Sequence, residues 1–279
     1  MAQSYPKIMG YRIKDELGNG SFGYCFVAQR EADNEILALK QFRREHLDSD
    51  CVAKEMDLLM GLNHTNIVKY YGHAFDSNNM LCLLMEYCQG GDLNKYIERK
   101  FKDGSFITEE FIWKAFHQLV LALRECHSRN RFGRIILHRD LKPANVFFDK
   151  DMNVKLGDFG SSRMLPFNRD TTATFAGTLF YMSPEQMSYA PYDEKCDIWS
   201  LGCTVHEMCV RKPTFFGLTD VDVAAKIRNA NYPTLPDKYS IDLRRAISSM
   251  LQLLPNDRCS IEQLAACPLM QRNISREKM

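Results

Sequence analysis

The chain has 279 residues, 45% of them hydrophobic and 25% charged, which suits one large domain or two packed lobes with a sizeable core. Its 36 basic and 35 acidic side chains leave a formal charge of +1, so nothing argues for nucleic acid or an anionic membrane surface as a partner. No apolar run approaches a membrane span, the N-terminus lacks a signal-peptide core, and ten scattered cysteines form no C-x-x-C pair; this reads as a reduced, cytoplasmic or nuclear protein.

In chain order, residues 11–42 read as strands. The apolar runs "YCFVAQ" and "ILALKQF" flank the charged turn "READNE", as in a β-hairpin. Residues 51–62 set Met56, Leu59 and Leu62 near one face of a helix. "MLCLLMEYC" (80–88) is a buried strand that ends at Gln89-Gly90-Gly91, a breaker able to join two lobes. Beyond it the pattern turns helical. Ile112, Phe116, Leu119, Val120 and Leu123 recur at helical spacing, with Thr108 as the cap and Glu109 and Glu110 in the first turn. "DIWSLGCTVHEMCV" (197–210) reads as a buried helix. Its Cys203, His206 and Cys209 drift around that helix at three-residue steps and lack an obvious fourth ligand, so packing is favoured over zinc. Ser260 and Gln263 form a capping box for another short helix. Strands first and helices after predict an α+β fold. There are no repeats, low-complexity tracts or heptads.

"GNGSFG" (18–23) has G-x-G-x-x-G spacing. A dinucleotide fingerprint would open a helix, but this loop opens the strand-like "YCFVAQ" and so lies between two strands. A plain hairpin turn also accounts for it. Specificity comes from five blocks further along the chain: Lys40 closing "LALK", Glu55 on the predicted helix, "HRDLKPAN" from His138 to Asn145, "DFG" from Asp158 to Gly160, and "SPE" from Ser183 to Glu185. Their order and spacing over nearly the whole chain resemble the eukaryotic protein kinase domain.

The resemblance implies a bilobal fold: an N-lobe antiparallel sheet plus helix C over residues 1–87, and a mainly helical C-lobe over 88–279, together one domain. It implies ATP and Mg2+ as cofactors. Lys40 would hold the α- and β-phosphates and pair with Glu55, Asp140 would take the proton of the attacking hydroxyl, and Lys142 would neutralise the moving phosphoryl group. Asn145 and Asp158 would be the magnesium ligands, being hard oxygen donors. The nucleotide would lie against Leu17, Gly18, Asn19, Gly20, Ser21, Phe22, Gly23, Cys25, Ala38, Lys40, the gatekeeper Met85 and the hinge residues Glu86 and Cys88. Cys25 takes the place of the usual valine over the adenine. Asp197 would brace the catalytic loop, and Glu185 and Arg258 would pair. His138, Phe159, Leu59 and Tyr70 would stack between the lobes, with Tyr70 either ordinary aromatic core or able to turn inward and block activity. Thr174 would be the activating phosphosite, with Thr171 and Thr172 as alternatives and Arg139 as the receiving cation.

Lysine at 142 and Thr178 in "GTLFYMSPE" are similar to serine/threonine kinases. "NIVKYYG", "MEYCQGGDL", "VKLGDFG", "KCDIWSLGC" and the basic connection "SRNRFGRI" resemble the NIMA-related (never-in-mitosis) kinases, the subgroup of mitosis and centrosomes above all. The chain departs from that pattern at Ser161-Ser162 (usually Leu-Ala), Leu179 (usually Pro) and Cys259 (usually Pro). No catalytic group is lost, but Ser161 and Leu179 would bear on substrate preference, which the resemblance places in a hydrophobic residue three positions before the target.

The expected partners are protein substrates presenting a Ser/Thr segment. Neither nucleic acid nor a membrane is expected, and the chain would be a monomer, with any dimerisation in a tail beyond it. Localisation would be cytoplasmic, at the centrosome or cytoskeleton, or nuclear. A scaffolding pseudokinase is the rival reading, opposed by the intact Lys40, Glu55, Asp140, Asn145 and Asp158. A small-molecule kinase would not need the segment from Gly177 to Glu185.

Overall fold

The computed structural model describes residues 5–20, 23–43, 61–128, 135–159, 162–165 and 178–270. Glu55, Met56 and Leu59 lie outside the described residues, as do Ser21, Phe22, Gly160, Ser161, Thr171, Thr172, Thr174 and Gly177.

The described N-terminal residues form an antiparallel sheet of five strands: β1 (Tyr11–Gly20), β2 (Gly23–Arg30), β3 (Ile36–Phe42), β4 (Tyr70–Phe75) and β5 (Leu81–Glu86), ordered β1-β2-β3-β5-β4. The glycine segment thus connects two paired strands, with Gly20 opposite Gly23. Side chains alternate across a strand, and β5 shows why its sequence is an unbroken apolar run. Leu81 and Leu83 enter the large core, whereas Cys82 and Leu84 enter a smaller one with Ile8, Phe26, Ala28 and Leu39. The strand is buried on both faces.

The short strand β6 (Gly91–Asp92) leads into α1 (Leu93–Lys102), which Asp92 caps through Lys95 N–H. Helix α2 (Glu109–His127) starts as the sequence predicts: Thr108 Oγ1 accepts the N–H of Phe111, and the five periodic apolar residues are buried. Between it and the next helices run β7 (Ile135–Leu137), β8 (Val146–Phe148), β9 (Val154–Leu156) and β10 (Arg163–Leu165). Strand β7 pairs with β10, and β8 pairs with β6 and β9, so the intervening loops converge.

The chain continues through α3 (Pro184–Met187), α4 (Lys195–Val210), α5 (Asp220–Arg228), α6 (Ile241–Met250) and α7 (Ile261–Ala265). Residues 196–209 of α4 are all buried. At Gly202 a Cβ would sit 2.9 Å from Leu251 and Met250, so α6 packs directly on the α4 backbone. The Cys203, His206 and Cys209 trio has packing roles. Both ring nitrogens of His206 are engaged, by Thr214 Oγ1 at 3.1 Å and the Pro233 carbonyl at 2.8 Å, and Cys209 donates to the Val205 carbonyl. The Ser260–Gln263 capping box forms at α7. Among the described residues no helix is long and apolar enough to cross a membrane.

Candidate active site

The segment 138–145, between β7 and β8, is held from beneath by one carboxylate. Asp197, in the first turn of α4, is fully buried. It accepts the N–H groups of His138 at 2.9 Å and Arg139 at 2.8 Å, and the His127 ring nitrogen lies at 2.9 Å. Burial opposes the charge of Asp197, yet the hydrogen bond and charge of His127 and the neighbouring N–H donors hold its carboxyl below the usual carboxylate range. Arg139 adopts φ +65°, a left-handed conformation that its surroundings must enforce. Its guanidinium donates to the Tyr192 hydroxyl at 3.2 Å.

This brace fixes Asp140 in a cluster with Lys142, Asn145 and Thr178. Lys142 Nζ donates to Asp140 Oδ2 at 2.8 Å and to Thr178 Oγ1 at 2.7 Å, and Thr178 Oγ1 donates to Asp140 Oδ1 at 3.0 Å. Asn145 Nδ2 donates to the Asp140 carbonyl at 2.8 Å and to its carboxylate at 3.1 Å. The nitrogen end of the Asn145 amide is thereby committed to Asp140, which leaves its oxygen as the end suited to a cation.

Asp158 sits just past β9 at φ +57°. Lys40 Nζ donates to its carboxylate at 3.1 Å across the two halves of the chain. Burial raises the cost of its charge, but Lys40, as cation and donor, holds the carboxyl below its ordinary range. The group is an anion with hard oxygens, and with the Asn145 oxygen it makes a donor set of the kind magnesium takes. Next to it, the Phe159 ring meets His138 edge-on at 4.8 Å, and His138 Nε2 lies 3.0 Å from the Gly157 carbonyl.

On the sheet, register sets the positions of the residues that the sequence assigns to the nucleotide. Lys40 lies opposite Cys25 on β2 and Leu83 on β5, Ala38 opposite Met85, and Gly18 opposite Cys25. Leu17 is exposed at the sheet edge. Asn19 Oδ1 accepts from Arg43 at 2.8 Å. Gly23 has a reason of its own to be glycine: a Cβ there would stand 1.9 Å from the Gln41 carbonyl oxygen on β3. At the end of β5 the Glu86 carboxylate turns to Lys155 Nζ at 2.7 Å and accepts the Lys69 N–H at 3.1 Å. Burial and the nearby Glu86 charge push the Cys88 thiol up to about 12.

Tyr70 is half-buried against the large core, its hydroxyl 3.2 Å from His73 Nδ1. Glu185 and Arg258 form a bidentate pair at 2.6 and 2.7 Å, with the Arg258 side chain fully buried. The structure thus brings Asp140, Lys142, Asn145 and Thr178 together, Lys40 with Asp158, and Glu185 with Arg258. Sequence reasoning did not give Thr178 a place beside Asp140. It also missed the ring of His127, the hydroxyl of Ser162 on the His138 carbonyl, the Lys155 partner of Glu86, and the bond from Tyr181 to Glu207. Only Thr178 carried a signal, through its place in "GTLFYMSPE".

Residues 11–270 match the family profile described as "Protein kinase domain". The chain is 41% identical over 276 residues to the serine/threonine-protein kinase Nek2 of Mus musculus, covering 98% of this chain and 62% of that protein. Nek2 of Homo sapiens is likewise 41% identical, over 96% of this chain and 61% of that protein. The G2-specific protein kinase nimA of Emericella nidulans is 35% identical over 98% of this chain and 43% of its own length. The chain therefore spans about three-fifths of the length of the two Nek2 proteins it matches.

Proposed function

The chain belongs to the protein kinase family, and from that premise we propose that it is a serine/threonine kinase that moves the γ-phosphate of ATP to hydroxyls on protein substrates. The observation that carries the reading is the cluster around Asp140, in which a carboxylate is paired with Lys142 and held by hydrogen bonds from Asn145 and Thr178. Asp140 would orient the incoming hydroxyl and receive its proton. Lys142, bonded to Asp140 and Thr178, adds positive charge where charge builds on the moving phosphoryl group. Asp158 and Asn145 would hold magnesium, which when bound supplies charge neutralisation between the phosphates. Lys40, fixed on β3, would bind the phosphates on the sheet side. These roles are positional, which suits a reaction governed by alignment and electrostatics.

The relatives support a finer reading. Nek2 is named a serine/threonine-protein kinase and nimA a G2-specific one. We carry over a role in cell-cycle control, acting at the centrosome, microtubules or cilium, with Thr174 as the activating site and Arg139 as its cation. The test is phosphotransfer to serine-, threonine- and tyrosine-containing peptides with and without magnesium, with phosphosites located by mass spectrometry. Magnesium-dependent labelling of serine or threonine is expected. Nucleotide binding without any transfer would replace this reading with that of a scaffold.

A further inference from the structure

Ser162 stands where the NIMA-related pattern has alanine. Its side chain is buried, its N–H donates to the Phe159 carbonyl at 2.9 Å, and its hydroxyl donates to the His138 carbonyl at 3.1 Å. That carbonyl belongs to the peptide unit joining His138 to Arg139, and the N–H of the same unit is held by Asp197 at 2.8 Å. One peptide plane is therefore gripped at both ends, by a carboxylate from α4 and a hydroxyl from the segment after Phe159.

The orientation of this plane matters because of what it borders. Arg139, at φ +65°, follows it directly, and Asp140 comes next. On the other side of the tie, Asp158 at φ +57° lies four residues before Ser162. Non-glycine residues keep such conformations only where the surroundings over-determine them. Among the described residues, two further links between the turns run through His138: its ring against Phe159 at 4.8 Å and its Nε2 at the Gly157 carbonyl at 3.0 Å. Neither involves residue 162. The hydroxyl of Ser162 is thus an added cross-tie that alanine cannot make.

We propose that Ser162 is a positioning residue, setting the turn that carries Asp158 against the loop that carries Asp140, and so the alignment of metal-side carboxylate and base. The inference rests on the kinase reading above. It differs from simple satisfaction of a buried carbonyl, which would cost folding stability without a specific cost in turnover.

The experiment compares the parent with Ser162→Ala, Ser162→Thr and, as a control, Asp140→Asn. The quantities measured are kcat, KM for ATP and for a serine peptide, and the melting temperature with and without magnesium-ATP. Loss of one neutral hydrogen bond in the aligned state predicts a kcat lower by about three- to tenfold in Ser162→Ala. The peptide KM should be unchanged and the melting temperature close to the parent's, and threonine, which keeps the hydroxyl, should restore most of the rate. An unchanged kcat, or a loss that follows the melting temperature, overturns the proposal. Should threonine not be accommodated, the split between kcat and melting in the alanine variant decides. A parent without phosphotransfer sensitive to Asp140→Asn removes the kinase reading, and the role of Ser162 with it.

Discussion

The two halves of the molecule hold their functional residues in different ways. In the sheet, the residues proposed to face the nucleotide are placed by strand register: Cys25 opposite Lys40, Lys40 opposite Leu83, Ala38 opposite Met85. Side-chain ties add to it, from Arg43 to Asn19 at the surface and from Gln41 to Asp76 in a partly buried position. In the helical half, the loop from His138 to Asn145 is fixed by buried polar groups, chiefly Asp197, through bonds between residues 58 to 70 positions apart. Register sets a position through many weak backbone bonds and tolerates bending. A buried carboxylate with several donors tolerates little, because any displaced donor is left unsatisfied. The sheet side should therefore adapt to its ligand, while the Asp140 side arrives pre-aligned.

Substitution at Asp140 tests the pre-aligned side at its centre. Asp140→Asn keeps the shape but removes the proton acceptor, and turnover should fall by about 10²- to 10⁴-fold. Nucleotide affinity, measured on the same preparation, should hold, since Asp140 is proposed to meet the incoming hydroxyl and not the nucleotide. Near-normal turnover would show that Asp140 is not the base.

The Glu185–Arg258 pair extends the rigid region to the chain beyond Thr178. Arg258 also lies over Trp199, 5.0 Å from the ring centroid, and donates to the Lys195 and Gln252 carbonyls. Arg258→Met would leave Glu185 buried without its partner, at a cost of about 3–5 kcal/mol in folding stability. Denaturant titration should report it as a lower midpoint. A loss below about 1 kcal/mol would mean that the pair contributes no more than an exposed one.

A smaller effect is expected where the two halves meet. Asp158→Ala removes the carboxylate that Lys40 holds, and with it an oxygen donor proposed for magnesium. Magnesium-dependent nucleotide affinity should fall by roughly 10- to 100-fold, the range for a lost charged contact. Affinity without magnesium should change less. If magnesium improves binding in the variant as much as in the parent, Asp158 is not a ligand.

The same division governs which features the sequence disclosed. The hairpin of β2 and β3, the cap at Thr108, the buried α4 and the box at Ser260 were legible because they rest on local periodicity and capping. Asp140, Lys142, Asn145, Asp158 and the Glu185–Arg258 pair were legible through their motifs. Thr178 lies 38 residues from Asp140 and His127 lies 70 from Asp197, and no spacing rule reaches that far. The motif explains Gly23 by close approach to phosphates, whereas the β3 carbonyl alone already demands glycine there. That demand emerges only once the strands are paired.

The finest test sets two buried carboxylates of one helix against each other. Asp197 receives two backbone N–H groups and the His127 ring, and its carboxyl is held down. Glu207, about three turns along α4, receives the Tyr181 hydroxyl at 2.8 Å; burial pushes its carboxyl from 4.5 up to about 7, with Tyr181 only partly opposing. Between these values the folded chain binds a proton that the unfolded chain has released. Stability contributed at this site is therefore full below about pH 4.5 and declines as pH rises to about 7, by an amount on the order of 3 kcal/mol. Glu207→Gln keeps an acceptor for Tyr181 and cannot ionise. The difference in denaturant midpoint between parent and variant should be small near pH 5 and should grow in favour of glutamine toward pH 8. A difference that stays flat across this range would mean that Glu207 is already charged in the fold, and that the contrast with Asp197 is one of geometry and not of ionisation.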